Sequence, residues 1–176
     1  GERRGEEFVT RKITKGVALL KSFIDKGKKP LALQLGNLES KRDWGHAEDY
    51  VEGIWRMLNQ EEWNPDFNKP KDYVIASGET HTIREFLEKA LTHAGVPFKA
   101  NSTEVDGQKI EYFNPETGDP IVCINPKYFR PAEVKLLLGS PEAIENDLKW
   151  ERRVSFDDLV KRMVDKDLQL VQAFGR

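Results

Sequence analysis

Residues 31–58 read LALQLGNLESKRDWGHAEDYVEGIWRML. The first five form an apolar run that predicts a short strand, which ends at Gly36 and Asn37. A polar loop over residues 38–45 follows, and a helix begins at about His46. The predicted buried side of this helix consists of Ala47, Tyr50, Val51, Ile54, Trp55 and Leu58. The succession of strand, loop and helix is typical of an α/β fold.

Further helices are predicted on either side of this stretch. Apolar residues recur at spacings of three and four over residues 8–26, where Gly27 ends the helix, and over residues 156–174. Thr82 and Glu85 have the spacing of a capping box, which predicts the start of another helix. Two shorter helices are predicted near residues 133–138 and 141–148.

The remaining strands are predicted from short runs of apolar residues. Residues 73–76 form one such run, and residues 109–113 and 121–124 form a hairpin-like pair. Parallel strands normally need helices over both faces of their sheet. We therefore expect the two early strands, residues 31–35 and 73–76, to pair with a sheet outside this chain.

The composition limits the classes of function. A chain of 176 residues can form one domain around one core. Its 28 Lys+Arg and 30 Asp+Glu give a net charge of -2, whereas a nucleic-acid-binding protein carries a basic excess. No apolar span approaches the roughly 20 residues of a membrane helix. Cys123 is the only cysteine, which excludes an intrachain disulfide and favours a reducing, cytoplasmic setting.

The first residues of the chain, GERRGEE, resemble neither a secretory signal nor an organellar leader, because they are too charged and too acidic. They lead from a loop directly into a helix, with no initiating methionine and no first strand. A fragment of a longer protein is expected to begin in this way.

Three clusters that contain arginine lie at element boundaries. They are RRG at residues 3–5, KRDWGH at residues 41–46 and YFRPAE at residues 128–133. A guanidinium offers parallel donors in a fixed geometry, which match phosphate oxygens better than an ammonium does. Two such groups from different loops would clamp a diphosphate. Alternatively, these are solvated surface arginines that pair with Asp43 and Glu133, and the residues alone leave both interpretations open.

The sequence offers no recognisable reaction centre. His46, His81 and His93 lack the helical spacing of metal ligands, and Cys123 lies in the apolar run IVCI, which predicts a buried core thiol. No G-x-G-x-x-G, Walker or G-x-S-x-G motif occurs, and no tyrosine has a lysine four residues later. These observations predict a binding lobe without its own catalytic group.

The clusters and their surroundings resemble the GDP-mannose 4,6-dehydratase family over essentially the whole chain. The most specific match is LGNLESKRDWGHAEDYV at residues 35–51. Further matches are RRGE at residues 3–6, FVTRKI at 8–13, VIASGETHTIREF at 74–86, YFRPAEV at 128–134, LKW at 148–150 and FDDLVKRMV at 156–164. The resemblance is weaker over residues 99–119, and the loop over residues 63–71 is longer than usual.

The resemblance implies the C-terminal part of an extended short-chain dehydrogenase/reductase. This part combines late Rossmann elements with a smaller mixed α/β lobe that binds a nucleotide sugar, and residues 1–176 would form it. The NADP-binding Rossmann part would lie upstream of Gly1, so that the isolated chain is inactive. Members of the family oxidise C4 of the mannose in GDP-mannose, eliminate water across C5 and C6, and return the hydride to C6. The resemblance also implies a homo-oligomer of the full-length enzyme.

The resemblance assigns binding residues but no catalytic residue to this chain. Arg4 is expected to contact NADP. The residues expected to bind GDP-mannose are Lys12, Asn37, Arg42, Arg130 and Glu133. Two alternatives stay open: a nucleotide-sugar-binding module that never had a catalytic half, and part of another extended reductase, such as a nucleotide-sugar epimerase. The run RDWGH at residues 42–46 favours the dehydratase.

Overall fold

The computed structural model describes residues 1–65, 71–129 and 136–174. Within these ranges the helices are α1 (Val9–Asp25), α2 (Ala47–Leu58), α3 (Gln60–Trp63), α4 (Ile83–His93), α5 (Glu142–Leu148) and α6 (Phe156–Phe174). The strands are β1 (Leu33–Leu35), β2 (Lys41–Arg42), β3 (His81–Thr82), β4 (Lys99–Val105), β5 (Gln108–Phe113) and β6 (Pro120–Ile124). A 3₁₀ turn, Pro126–Tyr128, follows β6.

The main sheet has the strand order β1-β6-β5-β4. β1 and β6 are parallel, with Leu33 opposite Val122 and Leu35 opposite Ile124, whereas β6, β5 and β4 are antiparallel. The expectation that the first strand pairs only outside this chain is therefore wrong. The hairpin of β5 and β6 returns to lie beside β1, and the carboxyl ends of β1 and β6 consequently lie at one edge of the sheet, here called the β1–β6 edge.

Three helices pack together to form the core. α1 lies along α6, and α4 contacts both. The fully buried side chains include Val17, Phe86, Leu87, Leu91, Val122 and Val164. Burial of one such side chain stabilises the fold by about 1.5–3 kcal/mol. The predicted bounds of α1 and α6 agree with the structure to within about one residue, and both hydrogen bonds of the predicted capping box, between Thr82 and Glu85, are present.

Helix α2 turns a different side inward from the one that its apolar pattern predicts. Its residues Val51, Ile54, Trp55 and Leu58 are each more than half exposed. Instead, Asp49 and Arg56 are buried. The Asp49 carboxylate accepts hydrogen bonds from the backbone N–H groups of Arg153 (3.2 Å) and Val154 (3.0 Å). Arg56 donates to the backbone carbonyls of Leu148 and Lys149. Backbone hydrogen bonds, which a hydrophobicity pattern does not encode, therefore orient α2.

Residues 73–76 pair with no strand in the part of the chain that the structure describes, so their expected pairing with a sheet outside this chain stays a prediction. Tyr73 and Ile75 pack against a small cluster around Trp150, which is fully buried. Burial against these side chains accounts for part of the apolar character of the segment.

The helix predicted at residues 133–138 lies partly outside the described residues. Its described part, residues 136–138, is not helical. Leu136 forms an isolated parallel bridge with Lys41 of β2, and the N–H of Leu137 donates to the carbonyl of Lys41. An extended pairing of this kind excludes helical backbone at the same residues.

Candidate functional site

The loops that follow β1 and β6 meet at the β1–β6 edge. The N–H of Asn125 donates to the carbonyl of Leu35 at 2.7 Å, which ties the two strand ends together. A Cβ atom on Gly36 would lie 2.6 Å from the carbonyl oxygen of Tyr128. Real Cβ atoms do not approach backbone this closely, so the contact requires glycine at position 36.

Lys12 points to the same edge from α1. Its Nζ lies 3.3 Å from the centroid of the Tyr128 ring, which is a cation–π contact. Asn37 belongs to the loop after β1, where its Oδ1 accepts a hydrogen bond from the N–H of Glu39 at 2.9 Å. The Lys12 ammonium thus contacts one partner of the Gly36–Tyr128 contact, and Asn37 directly follows the other.

Arg42 is the second residue of β2, which pairs with β3 so that Arg42 lies opposite His81. Its guanidinium is half-buried and donates to the carbonyl of Lys41 at 2.7 Å. Residues 130–135, with Arg130 and Glu133, lie outside the described part of the chain. The described residues before and after them contact the loops of the candidate site: Tyr128 contacts Gly36, and Leu136 pairs with Lys41.

Asp43 organises the loops beside Arg42. Its carboxylate accepts hydrogen bonds from the N–H groups of Ser77 (2.8 Å), Gly78 (3.2 Å) and Gly139 (3.3 Å). Hydrogen bonds to an ionised acceptor contribute more than neutral ones. Asp43 therefore joins the end of β2 to two loops that are distant in sequence. From the sequence alone, Asp43 is expected only to form an ion pair with a surface arginine.

Arg4 lies in the segment of residues 1–8 before α1, here called the arginine loop. Its guanidinium carbon lies 3.5 Å from the centroid of the Phe8 ring. The Arg4 side chain is exposed, and its backbone N–H donates to the carbonyl of Gly1 at 3.0 Å. The arrangement holds a cation in a defined position on the surface.

His46 connects the arginine loop to α2. Its Nδ1 accepts a hydrogen bond from the N–H of Glu48 and caps the helix, and its Nε2 lies 3.1 Å from a carboxylate oxygen of Glu2. Because Nδ1 is the acceptor, Nε2 carries the proton and donates to Glu2. Burial disfavours the ionised form of Glu2, but its hydrogen bonds, including the one from His46, outweigh this and keep its pKa below the ordinary value.

The described residues contain no group of three or more His, Cys, Asp and Glu side chains that could hold a metal ion. In the same ranges, no helix combines the length and the apolar character that crossing a membrane requires. Cys123 is buried in β6, as predicted, and burial raises the pKa of its thiol. A thiol of this kind is a core residue rather than a nucleophile.

Comparison with known proteins identifies relatives of the whole chain. A family model described as GDP-mannose 4,6 dehydratase matches residues 1–163. The GDP-mannose 4,6 dehydratase of Dictyostelium discoideum is 45% identical over 170 residues, which cover 97% of this chain and 44% of that protein. The protein of the same name from Drosophila melanogaster is 46% identical over 170 residues, with 97% and 39% covered. This chain thus spans about two fifths of the length of the curated relatives that it matches.

A solved structure shares the fold. The structure of RMD from Pseudomonas aeruginosa complexed with NADPH superposes with a TM-score of 0.71 over 97% of this chain and 46% of that chain. Because the sequence identity is 17%, this likeness concerns the fold alone.

Proposed function

Because the chain belongs to the GDP-mannose 4,6-dehydratase family, we propose that it forms the GDP-mannose-binding part of an NADP-dependent GDP-mannose 4,6-dehydratase, a lyase. The remaining length of its relatives would supply the Rossmann part that binds most of NADP. The observation that carries the proposal is the β1–β6 edge, where Lys12 contacts Tyr128 and Asn37 follows the end of β1, with Arg42 five residues further on in β2. Ligands of open α/β sheets bind beyond the carboxyl ends of the strands.

The types of side chain at this edge suit a sugar joined to a diphosphate. The guanidinium of Arg42 can donate two parallel hydrogen bonds to phosphate oxygens, and the ammonium of Lys12 adds a second positive charge. Arg130 is proposed as the second guanidinium of the clamp. Asn37 and Glu133 are proposed to exchange hydrogen bonds with the rest of the nucleotide sugar.

Arg4 is proposed to contact NADP. Its exposed guanidinium, which the Phe8 ring orients, fits a phosphate of the cofactor by the chemistry of its donors. When bound, NADP accepts and returns the hydride of the reaction. The chain's own residues would bind and orient the substrate beside it. We also expect identical subunits to assemble in the full-length enzyme. The single cysteine of this chain suits a reducing, cytoplasmic setting.

The substitution Arg42→Ala tests the diphosphate clamp in the intact enzyme, that is, this chain joined to its Rossmann part. A charge-assisted contact contributes roughly 1.5–3 kcal/mol, so we expect the affinity for GDP-mannose to fall by about ten-fold or more. The same is expected of Arg130→Ala. Isothermal titration calorimetry with GDP and with GDP-mannose measures the effect.

The control is Arg162→Ala, which removes a guanidinium that pairs with Glu48 at 3.1 Å on the exposed side of α6. This variant should bind GDP as the unmodified enzyme does. The clamp is wrong if neither Arg42→Ala nor Arg130→Ala changes the affinity for GDP.

Arg4→Ala tests the contact with the cofactor. We expect the dissociation constant for NADP to rise by about ten-fold, because one charge-assisted phosphate contact is lost, while GDP-mannose binds normally. Quenching of protein fluorescence on titration with NADP provides the measurement. An unaltered dissociation constant for NADP rules out this role for Arg4.

A further inference from the structure

The arginine loop contains neither helix nor strand, yet one side chain of α1 holds two of its backbone carbonyls. The guanidinium of Arg11 donates from Nη1 to the carbonyl oxygens of Glu2 at 2.8 Å and of Arg4 at 3.2 Å. The hydrogen bond to Arg4 fixes the backbone of the residue whose side chain is proposed to contact NADP.

The other side of the Arg11 guanidinium is itself fixed. Nε donates to Oδ1 of Asp167 in α6 at 2.8 Å, and the Asp167 carboxylate is 2% exposed. The second oxygen of Asp167 accepts a hydrogen bond from the hydroxyl of Thr14 at 2.6 Å. Both carboxylate oxygens of Asp167 are engaged inside the fold. Asp167 therefore fixes the plane of the Arg11 guanidinium, whose Nη1 points outward to the arginine loop.

We propose that Arg11 is a positioning residue for the arginine loop: Asp167 orients its guanidinium, which then holds the carbonyls of Glu2 and Arg4 and so presents the Arg4 side chain to the cofactor. This inference rests on the proposed function, because the contact between Arg4 and NADP is part of that proposal. It adds a residue that touches neither ligand.

The geometry beyond Arg4 supports this chain of contacts. With the carbonyl held by Arg11, the guanidinium of Arg4 is directed onto the ring of Phe8, the residue at which α1 begins. The N–H of Phe8 donates to the carbonyl of Gly5 at 3.2 Å, which forms a turn directly between Arg4 and α1. Release of the carbonyls would therefore free the backbone on which the cation is placed, and a poorly positioned contact loses much of its binding free energy.

A purely structural role would have different consequences. If Arg11 only joined α1 to α6, its substitution would loosen α1 as a whole. Lys12 follows Arg11 directly and contacts Tyr128 at the β1–β6 edge, so GDP-mannose binding would weaken together with NADP binding. A positioning role predicts that only NADP binding weakens.

The decisive variant is Arg11→Lys in the intact dehydratase. Lysine keeps a positive charge beside the buried Asp167, so the fold is retained, but its single nitrogen cannot reach Asp167 and both carbonyls in the geometry of a fork. We expect the dissociation constant for NADP to rise by about ten-fold and that for GDP-mannose to stay within about two-fold. Hydrogen exchange followed by mass spectrometry should show faster exchange confined to residues 1–8.

The matched control is Lys15→Met, one helical turn further along α1. Lys15 also reaches the arginine loop, but through an ion pair with Glu6 at 2.7 Å in which the side chain of Lys15 is 32% and that of Glu6 60% exposed. Exposed ion pairs contribute little, so this variant should bind both ligands normally and leave the exchange of residues 1–8 unchanged.

Two results would overturn the proposal. One is normal NADP binding by Arg11→Lys when Arg4→Ala weakens it, since Arg4 would then act without being positioned. The other is an equal loss of affinity for NADP and GDP-mannose together with a lower melting temperature. That result would show that Arg11 only stabilises the packing of α1 on α6. If Arg4→Ala itself leaves NADP binding intact, the proposed cofactor contact fails, and the positioning role fails with it.

Discussion

Incubated with NADP and GDP-mannose, the 176-residue chain alone should form no 4-keto product. It contains no Tyr-x-x-x-Lys pair and no glycine-rich turn for the phosphates of a dinucleotide. Binding groups such as Lys12 and Arg42 cannot replace the general base and the hydride acceptor that the reaction needs. Analysis of the reaction mixture for the keto product by mass spectrometry is the measurement.

The control for this result supplies the upstream Rossmann part, in the same polypeptide or as a second chain, and should restore turnover. We expect it to improve solubility as well, because the apolar side of α2 and the unpaired segment 73–76 would then be covered. Turnover by the chain alone at an ordinary rate, about 1–10³ per second, would contradict the proposed function and require a reaction centre elsewhere.

Asp43→Asn should have the largest effect of any conservative substitution near the candidate site. Asparagine has the same shape but offers only one acceptor oxygen. Its N–H₂ group would replace the other oxygen and face backbone N–H donors. Of the bonds from Ser77, Gly78 and Gly139, those to one oxygen are lost. We expect the free energy of unfolding to fall by about 2–3 kcal/mol, as measured by urea unfolding of the chain.

The same variant should weaken GDP-mannose binding by the intact enzyme by at least about ten-fold, because the loops around Arg42 lose their common anchor. Asp106→Asn is the matched control. Asp106 lies in the exposed turn between β4 and β5 at a φ of 51°, a conformation that asparagine adopts readily. A variant Asp43→Asn with unaltered stability and affinity would show that the three hydrogen bonds do not organise the site.

Local sequence patterns predicted the elements whose apolar side packs against another element of this chain. The three- and four-residue spacing found α1 and α6 because each packs its apolar side against the other. The fold class, a portion of an extended short-chain dehydrogenase/reductase, is confirmed by the family match and by the shared fold. The same patterns failed for α2, whose predicted buried residues face solvent, while the outside partner predicted for residues 73–76 stays a prediction.

The residues proposed to bind the ligands could be named from motifs, but the residues that hold them in place could not. Asp43 and Asp167 act on groups far away in sequence, and no local rule pairs them with their partners. One signal was present: Asp167 interrupts the apolar side of α6 between Val164 and Val171, and Thr14 does the same in α1. A polar residue in such a position needs a buried hydrogen-bonding partner, although the sequence does not say which one.

The contact between Arg11 and Asp167 joins positions 156 residues apart and has a consequence for biosynthesis. A ribosome adds about 5–20 residues per second, so α6 is completed roughly 7–30 seconds after α1. During this interval only α4 can cover part of the apolar side of α1, and β1 lacks its partner strand β6 until that strand is made. We therefore expect the nascent segment to expose apolar surface for longer than a helical bundle of equal length does.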